Sequence, residues 1–334
     1  MRNVPGAAKG FGALVAAALM AVSMAASAQN AKIKVRDGWT PGGLQAAWFY
    51  AMGKNMFAAR GIDLEFDDGT GSPVAAQLVA AGQYDMAHAD LSVMAVARTK
   101  GMKLISVAGL LRNTTLAVFV PKDSGIKTIK DLVGKQVLYT ATSMEAPYLA
   151  ALAKAGGVSK EQIDFLNVDA QAKISTYTAG RGDGMITTVP FGAPIVNPRR
   201  PSNTIEFSNY GLILPGTGIF IRESDLADAK KAKALETVVA VYLQAWTEII
   251  GGREAEAADL IMKQRPEAKL NRDSLIDQIK IHYPYLHTQN TKGKPLGWQA
   301  PDDWARTIVS MEAAGLMPAG AKPGDFFTNR MIQN

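Results

Sequence analysis

The chain has 334 residues and a mass of 35.6 kDa, which is enough for two domains, each with a sizeable core. Hydrophobic residues make up 48% and charged residues 20%, a globular composition that excludes a disordered chain or a polytopic membrane protein. Cysteine is absent, which excludes disulfides, thiolate nucleophiles and cysteine-ligated metals. The net charge is +6, but Lys and Arg are scattered among acidic residues, so we predict no nucleic-acid partner.

The N-terminal segment has the organisation of a secretory signal peptide. Residues 1–10 carry two basic residues and no acidic one, residues 11–25 form an uncharged apolar run, and Ala26-Ser27-Ala28 is a small-x-small cleavage site. We therefore predict that residues 1–28 are removed near Ala28 and that the mature chain is exported to the periplasm. A retained single membrane anchor is the alternative, although the run is weakly hydrophobic and no stop-transfer sequence follows.

After this leader, β-rich and helical segments alternate twice in the same order, which is typical of an α/β protein with mostly parallel sheets. A strand, a helix and a second strand are predicted first at 33–36, 44–59 and 62–66, and again at 136–139, 144–155 and 163–168. A polar turn separates the first strand from the helix in both copies. The sequence therefore predicts two similar α/β lobes.

The pattern Ala-Gly-x-x-Asp supports this duplication, because it occurs at 81–85 and at 179–183, each time where a helix gives way to a strand. Either copy alone suits a structural role, since glycine ends a helix and aspartate turns the chain into the strand. It is the pair in matching context that indicates a repeated lobe.

Two segments are predicted to cross between the lobes. Residues 115–120 form an apolar strand at the first crossover, and residues 212–222 form the return. Residues 226–334 are mainly helical in pattern, and we expect this end to pack on the first lobe. The predicted domains are the signal peptide at 1–28, lobe one at 29–116 with 215–334, and lobe two at 117–214.

Several motifs resemble those of a known family. Each motif alone is weak, but their order along the chain is specific. They are the run 39–65, Gly69-Thr70-Gly71-Ser72, Gly82-Gln83-Tyr84-Asp85, the segment 129–135 and the late segment 304–327. The mature chain resembles periplasmic solute-binding proteins, in particular the branch that serves ABC importers of thiamine pyrimidine precursors, nitrate, sulfonates and taurine. This resemblance implies the type II periplasmic-binding-protein fold, with two α/β lobes, a two-crossover hinge and a helical C-terminal tail.

Polar and aromatic residues of lobe one stand where ligands bind in open parallel sheets, beyond strand ends and at helix N-termini. Trp39 can stack on a planar ligand, and the amides and hydroxyls around Gly71 and Ser72 can bind an anion or a polar ring edge. Structural alternatives are a core aromatic, a helix cap and a hydrogen-bonded histidine. The ligand residues predicted in lobe one are Trp39, Thr40, Gly71, Ser72, His88 and Asp90.

Lobe two offers a matching set. The turn at 140–143 precedes a helix and is rich in hydroxyl groups, although a capping box between Thr142 and Glu145 is the alternative. Residues that follow the second Ala-Gly-x-x-Asp strand can close on a solute, and a tyrosine stands near the return crossover. The ligand residues predicted in lobe two are Thr140, Thr142, Ser143, Thr187, Thr188, Phe191 and Tyr210.

Enzyme motifs are incomplete. The run Gly71-Ser72-Pro73 lacks the last glycine of a nucleophile elbow, and Gly134-Lys135 is followed by Gln136 instead of the hydroxyl residue of a P-loop. His282 and His287 share no helical face for a metal because Pro284 lies between them. A fungal pyrimidine-synthesising enzyme has the implied fold but uses a cysteine cluster. We therefore predict no catalytic residue, no metal, no cofactor and no enzyme activity.

The resemblance, together with the signal peptide and the polar loops, implies an extracytoplasmic receptor that captures a small organic solute between two lobes and delivers it to an ABC permease. The polar loops lack a dominant Arg or Lys cage, so a planar heterocycle, an aromatic carboxylate or a sulfonate suits them better than a doubly charged anion. We expect a monomer. A periplasmic sensor for a signalling partner and an enzyme on the same fold are the alternatives.

Overall fold

The computed structural model describes Met1 and residues 30–332, so the remainder of the predicted leader and its cleavage site lie outside the described residues. Residues 30–332 form two five-stranded sheets with helices around them, and we call the part around each sheet a lobe. The first sheet contains β1 (Ala31–Asp37), β2 (Ile62–Asp67), β3 (Met86–Asp90), β4 (Leu104–Gly109) and β10 (Thr217–Arg222). The second contains β5 (Leu116–Pro121), β6 (Gln136–Tyr139), β7 (Asp164–Asn167), β8 (Gly184–Thr188) and β9 (Ser202–Glu206).

The helices divide between the two lobes and the C-terminal end. Those that precede β10 are α1 (Ala46–Gly53), α2 (Ser72–Ala80), α3 (Leu91–Thr99), α4 (Leu149–Ala155), α5 (Lys173–Thr178) and α6 (Val189–Val196). Those that follow it are α7 (Ala229–Ile250), α8 (Glu254–Gln264), α9 (Arg272–Ile281) and α10 (Pro301–Ala313). No helix in the described range 30–332 is long and apolar enough to cross a membrane.

The two sheets share one topology. Their strand orders are β2-β1-β3-β10-β4 and β7-β6-β8-β5-β9, and in each sheet the fourth strand runs antiparallel to both of its neighbours. These reversed strands, β10 and β5, are the ones that follow a crossover from the other lobe. The predicted fold class of two similar α/β lobes is therefore confirmed, with one reversed strand in each sheet. The exact lobe boundaries stay a prediction.

The repeated Ala-Gly-x-x-Asp motif has the same structural role in both lobes. Oδ2 of Asp85 accepts a hydrogen bond from the backbone N–H of Lys34 at 2.7 Å, and Oδ2 of Asp183 accepts one from Gln136 at 2.9 Å. The second residue of each motif is a glycine with positive φ. Each aspartate therefore ties the start of its own strand to the neighbouring strand, as expected for duplicated lobes.

Two helices are shorter than the sequence periodicity predicted. The helix expected at 44–59 ends at Gly53, and the chain turns at Asn55, whose φ is +56°. The helix expected at 144–155 becomes α-helical only at Leu149, because Pro147 lacks the N–H of a regular turn and the preceding turn is of the 3₁₀ type. Residues 143–145 consequently lie in a loop between the lobes.

Helices α7, α8 and α9 cover one face of the first sheet. Tyr242 and Trp246 of α7 pack with Trp48 of α1 and with sheet residues such as Val35, all of them buried. This packing agrees with the expectation that the helical end lies on lobe one. The last helix also contacts the return crossover, since Ser310 of α10 donates to the carbonyl of Gly211 at 2.7 Å.

Candidate functional site

A cavity lies between the two lobes. Its walls come from the ends of β1, β3 and β8, from the loops before α2 and α4, and from both crossovers. Binding sites for small molecules commonly lie between domains. The cavity is therefore the candidate ligand site.

The structure brings eight of the thirteen predicted ligand residues to this cavity, although their contact with a ligand stays a prediction. They are Trp39, Ser72, His88, Asp90, Ser143, Thr187, Thr188 and Phe191. The remaining five do not line it. They are Thr40, Gly71, Thr140, Thr142 and Tyr210.

The contacts of these five residues account for their positions. The hydroxyl of Tyr210 accepts a hydrogen bond from the backbone N–H of Ile129 at 3.0 Å, and its ring packs on the core. The hydroxyl of Thr140 donates to the carbonyl of Val168 at 2.8 Å. Thr40 is half-buried in the turn after β1. Gly71 and Thr142 meet each other across the lobes, as described next.

Thr142 forms a contact between the lobes. Its hydroxyl donates to the carbonyl of Thr70 at 2.8 Å, and the carbonyl of Thr142 packs against Gly71, where a Cβ would lie only 1.5 Å from its oxygen. A second such contact joins the hydroxyl of Tyr148 to Oγ of Ser92 at 2.6 Å. The alternative of a capping box between Thr142 and Glu145 does not form, because the hydroxyl of Thr142 donates to lobe one.

Asp37, at the end of β1, organises one wall of the cavity. One of its oxygens lies 2.6 Å from Nδ1 of His88, and the other accepts from Nε2 of Gln45 at 2.8 Å and from the backbone N–H of Trp39 at 3.0 Å. The other ring nitrogen of His88 lies 2.9 Å from the hydroxyl of Tyr242. Both nitrogens of His88 are thus engaged, which favours the alternative of a hydrogen-bonded structural histidine.

Asp90 caps α3 and also faces the cavity. Its Oδ1 accepts hydrogen bonds from the backbone N–H of Val93 at 3.0 Å and from the hydroxyl of Ser92. Its Oδ2 is buried without a hydrogen-bond partner in the described part of the chain. Burial raises the pKa of Asp90 to about 7, because desolvation outweighs the hydrogen bonds to its charged form.

Two further buried side chains of the cavity lining hold an unpaired polar atom. Within residues 30–332, Oε1 of Gln45 and Nδ1 of His282 have no hydrogen-bond partner. Burial lowers the pKa of His282 to about 4, so its imidazole is neutral at pH 7. An unsatisfied buried polar group costs about 1–3 kcal/mol. A ligand that supplied matching partners would remove part of this cost.

Residues 30–332 offer no unpaired cation to an anionic ligand in this cavity. Its lining residues in the described chain include neither lysine nor arginine. The nearby ammonium of Lys173 lies 2.6 Å from Oε1 of Glu145, and both side chains are 1% exposed. The same ammonium lies 5.1 Å from the ring centroid of Trp39 in the other lobe, in a cation–π contact.

Sequence reasoning missed part of the lining. Asp37 could have been found, because a polar residue that ends a buried strand points to the edge where ligands bind. The crossovers could also have been found, since a hinge between lobes must lie along the floor of the cleft. No local signal marks His282, which reaches the cavity from a C-terminal helix. The missed polar lining residues are Asp37, Gln45, Asn113, Thr114, Thr115, Glu145, Thr217 and His282.

Comparison with known proteins agrees with this architecture. Residues 45–254 match the family described as NMT1/THI5 like. The chain belongs to the NMT1/THI5-like family. The match starts just before α1, crosses the whole of lobe two and ends at the start of α8, so both lobes contribute to it.

Individual relatives of this family member are distant. The formylaminopyrimidine-binding protein of Halalkalibacterium halodurans is 22% identical over 297 residues, which cover 84% of each chain. The riboflavin-binding protein RibY of Chloroflexus aurantiacus is 25% identical over 306 residues, 86% of this chain and 82% of its own. The alkanesulfonate-binding protein SsuA of Xanthomonas axonopodis pv. citri, solved with MOPS bound, superposes with a TM-score of 0.69 at 14% identity and covers 90% of this chain and 99% of its own. The chain therefore has the periplasmic-binding-protein fold.

Asp90 is expected to make the ligand-free protein less stable as the pH rises from 5 to 8. Burial raises its pKa from 3.8 to about 7, so the folded chain keeps a proton that the unfolded chain loses above about pH 4. The free energy of unfolding therefore falls until about pH 7, by about 3 kcal/mol in all between pH 5 and 8. Asp90→Asn keeps an oxygen acceptor for α3 and is expected to remove this contribution.

The measurement is urea unfolding of wild type and Asp90→Asn at both pH values. The effect of Asp90 is the difference in the free energy of unfolding between the two proteins, because His282 changes the stability of both in the opposite direction. Its lowered pKa makes the folded state less stable as the pH falls below about 6.5. Parallel pH profiles for the two proteins would show that Asp90 does not titrate in this range.

Proposed function

We propose that this protein is the periplasmic solute receptor of an ABC importer, and that its solute is a planar heterocycle with N–H donors. The observation that carries this proposal is the cavity between the lobes, whose lining holds unpaired acceptor oxygens on Asp90 and Gln45 and no lysine or arginine among the described residues. Two relatives are named for binding formylaminopyrimidine and riboflavin, which are heterocycles of this kind.

The negative charge of an aromatic carboxylate or a sulfonate makes both classes less suitable than a neutral heterocycle. An aromatic carboxylate or a sulfonate would place a negative charge beside Asp90 and Glu145, while the ammonium of Lys173 is already paired. An unpaired buried charge costs more than a hydrogen-bonded neutral group. A neutral ring that donates N–H groups to Asp90 and Gln45 meets no such penalty.

Aromatic side chains from both lobes suit a flat solute. Trp39 lines the cavity from lobe one and Phe191 from lobe two, so both lobes contribute an aromatic ring. Contacts from both lobes exist together only when the lobes are closed, and the solute therefore stabilises the closed form. We infer that the exported monomer, after loss of residues 1–28, docks on its permease in this form. Solute capture and delivery require no covalent step.

We expect formylaminopyrimidine or riboflavin to raise the Tm of the exported protein, and benzoate and methanesulfonate to leave it unchanged. Because an N–H donor favours the ionised carboxylate of Asp90, affinity should fall about tenfold for each pH unit between 7 and 5. Trp39→Ala should weaken binding at least about tenfold through loss of ring contact. Isothermal titration calorimetry measures both effects.

Thr40→Ala is the matched control, since Thr40 neighbours Trp39 in the chain but does not line the cavity. It should bind as the wild type does. If only benzoate or methanesulfonate raised the Tm, the proposal of a heterocyclic solute would be wrong and the solute would be an anion. Binding that tightens as the pH falls would show that the solute accepts a proton from Asp90 instead of donating to it.

A further inference from the structure

A second, smaller cavity lies beside the two crossovers. Leu111 lines both cavities and forms part of the wall between them. Its lining also includes Arg112 of the first crossover, Pro215 of the return crossover and several residues between 299 and 307, where α10 begins. Both chain segments that join the lobes therefore meet the last helix at this cavity.

Two nitrogen donors in this lining are unused. Among the described residues, Nη2 of Arg112 and Nε2 of Gln299 have no hydrogen-bond partner, although the two side chains are only 7% and 2% exposed. Another polar atom of each side chain is hydrogen-bonded. Nε of Arg112 donates to the carbonyl of Leu286 at 3.0 Å, and Oε1 of Gln299 accepts from Ser106 at 2.8 Å and from Trp304 at 3.2 Å. Both free donors thus have fixed positions.

Among residues 30–332, no carboxylate forms an ion pair with Arg112. Asp303 also lines the cavity, but one of its oxygens accepts from Asn290 at 2.9 Å and from Arg306 at 3.0 Å. Its other oxygen accepts from the hydroxyl of Thr288 at 2.6 Å. Burial lowers the pKa of Arg112 to about 10, with Asp303 opposing the shift. Because Asp303 is paired with Arg306, its charge does not neutralise that of Arg112. The cavity therefore has a net charge of about one guanidinium.

We infer that this cavity is a binding site for a small monovalent anion, held between Nη2 of Arg112 and Nε2 of Gln299. Chloride and formate both have this chemistry. The α10 helix adds to the attraction, because it begins at the cavity and its N-cap residue, Ala300, has no side chain that caps the first N–H groups. A single guanidinium matches one negative charge, so sulfate or phosphate is not expected to bind.

The bound anion would join the hinge to the last helix. Arg112 belongs to the first crossover, and α10 already contacts the return crossover through Ser310 and Gly211. An anion between Arg112 and Gln299 would therefore connect the first crossover to the element that holds the second. This site makes no use of the solute cavity, so its test and that of the proposed solute are independent.

A crystal of the exported protein grown in sodium bromide tests the site directly. Anomalous scattering should show a bromide ion within hydrogen-bond distance of Arg112 and Gln299. In solution, replacing sodium gluconate with sodium chloride at constant ionic strength should raise the Tm by about 2 °C once chloride exceeds its Kd about tenfold. Absence of the anomalous peak together with an unchanged Tm would overturn the site.

Two variants separate this site from a general salt effect. Arg112→Met should abolish the response to chloride, whereas Arg253→Met, an identical change at a side chain that is 63% exposed, should retain it. Gln299→Glu supplies a carboxylate oxygen in place of the unused Nε2 and should make the protein independent of chloride without weakening its fold. A chloride response that survives in Gln299→Glu would contradict the inference, even if Arg112→Met fails to fold.

Discussion

Gly71→Ala is expected to weaken solute binding by about a hundredfold or more and to leave both lobes folded. A Cβ at this position would lie 1.5 Å from the carbonyl oxygen of Thr142 in the other lobe, a distance that no side-chain rearrangement can relieve. The clash therefore separates the lobes and breaks the bond from the hydroxyl of Thr142 to the carbonyl of Thr70. A receptor whose closed form is disfavoured by about 2.7 kcal/mol loses about a hundredfold in affinity.

The measurements are calorimetric titration with the solute and small-angle scattering of the solute-loaded protein, whose radius should stay that of an open form. Gly101→Ala is the matched control. Gly101 also has a positive φ, +95°, but no atom lies within 4 Å of its Cβ position, so the change adds backbone strain without a clash between the lobes. It should lower the Tm and leave affinity unchanged. Wild-type affinity in Gly71→Ala would show that this contact is not needed for closure.

Gly71 and Thr142 also show which part of a site a sequence can predict. Both residues follow a strand and precede a helix, which correctly predicts that they lie where the lobes face each other. Whether a residue at that edge touches a ligand or the opposite lobe depends on the angle between the lobes, which no local pattern encodes. The structure uses these two residues for contact between the lobes and leaves Ser72 and Ser143 in the lining.

The fold was more predictable than the site for a physical reason. Apolar periodicity and turn residues are local, so the two copies of strand, helix and strand could be found, as could the motif that ends in Asp85 and Asp183. The site depends on residues that are distant in sequence, such as Asp37 and His282, and on which hydrogen bonds remain unpaired after folding. The bond between His88 and Tyr242, for example, joins residues 154 positions apart and favours a structural role for the histidine.

Lys173→Met is expected to destabilise the protein by about 3–5 kcal/mol, because it leaves Glu145 as a buried carboxylate without its cation. The ammonium and carboxylate lie 2.6 Å apart, and both side chains are 1% exposed. The substitution also removes the cation–π contact from lobe two to Trp39. Urea unfolding at pH 7 measures the loss, and a titration with the solute should show weaker binding in the protein that still folds.

The double variant Lys173→Met with Glu145→Gln separates the ion pair from its packing. Removal of both charges takes away the uncompensated carboxylate, so this variant should regain most of the stability that the single variant loses. Lys34→Met is the exposed control. Lys34 and Glu65 lie 3.0 Å apart, but their side chains are 50% and 53% exposed, and the loss should stay below about 1 kcal/mol. Equal losses of stability in the Lys173 and Lys34 variants would show that water reaches the ion pair of Lys173 and Glu145. This pair would then contribute no more than a surface ion pair.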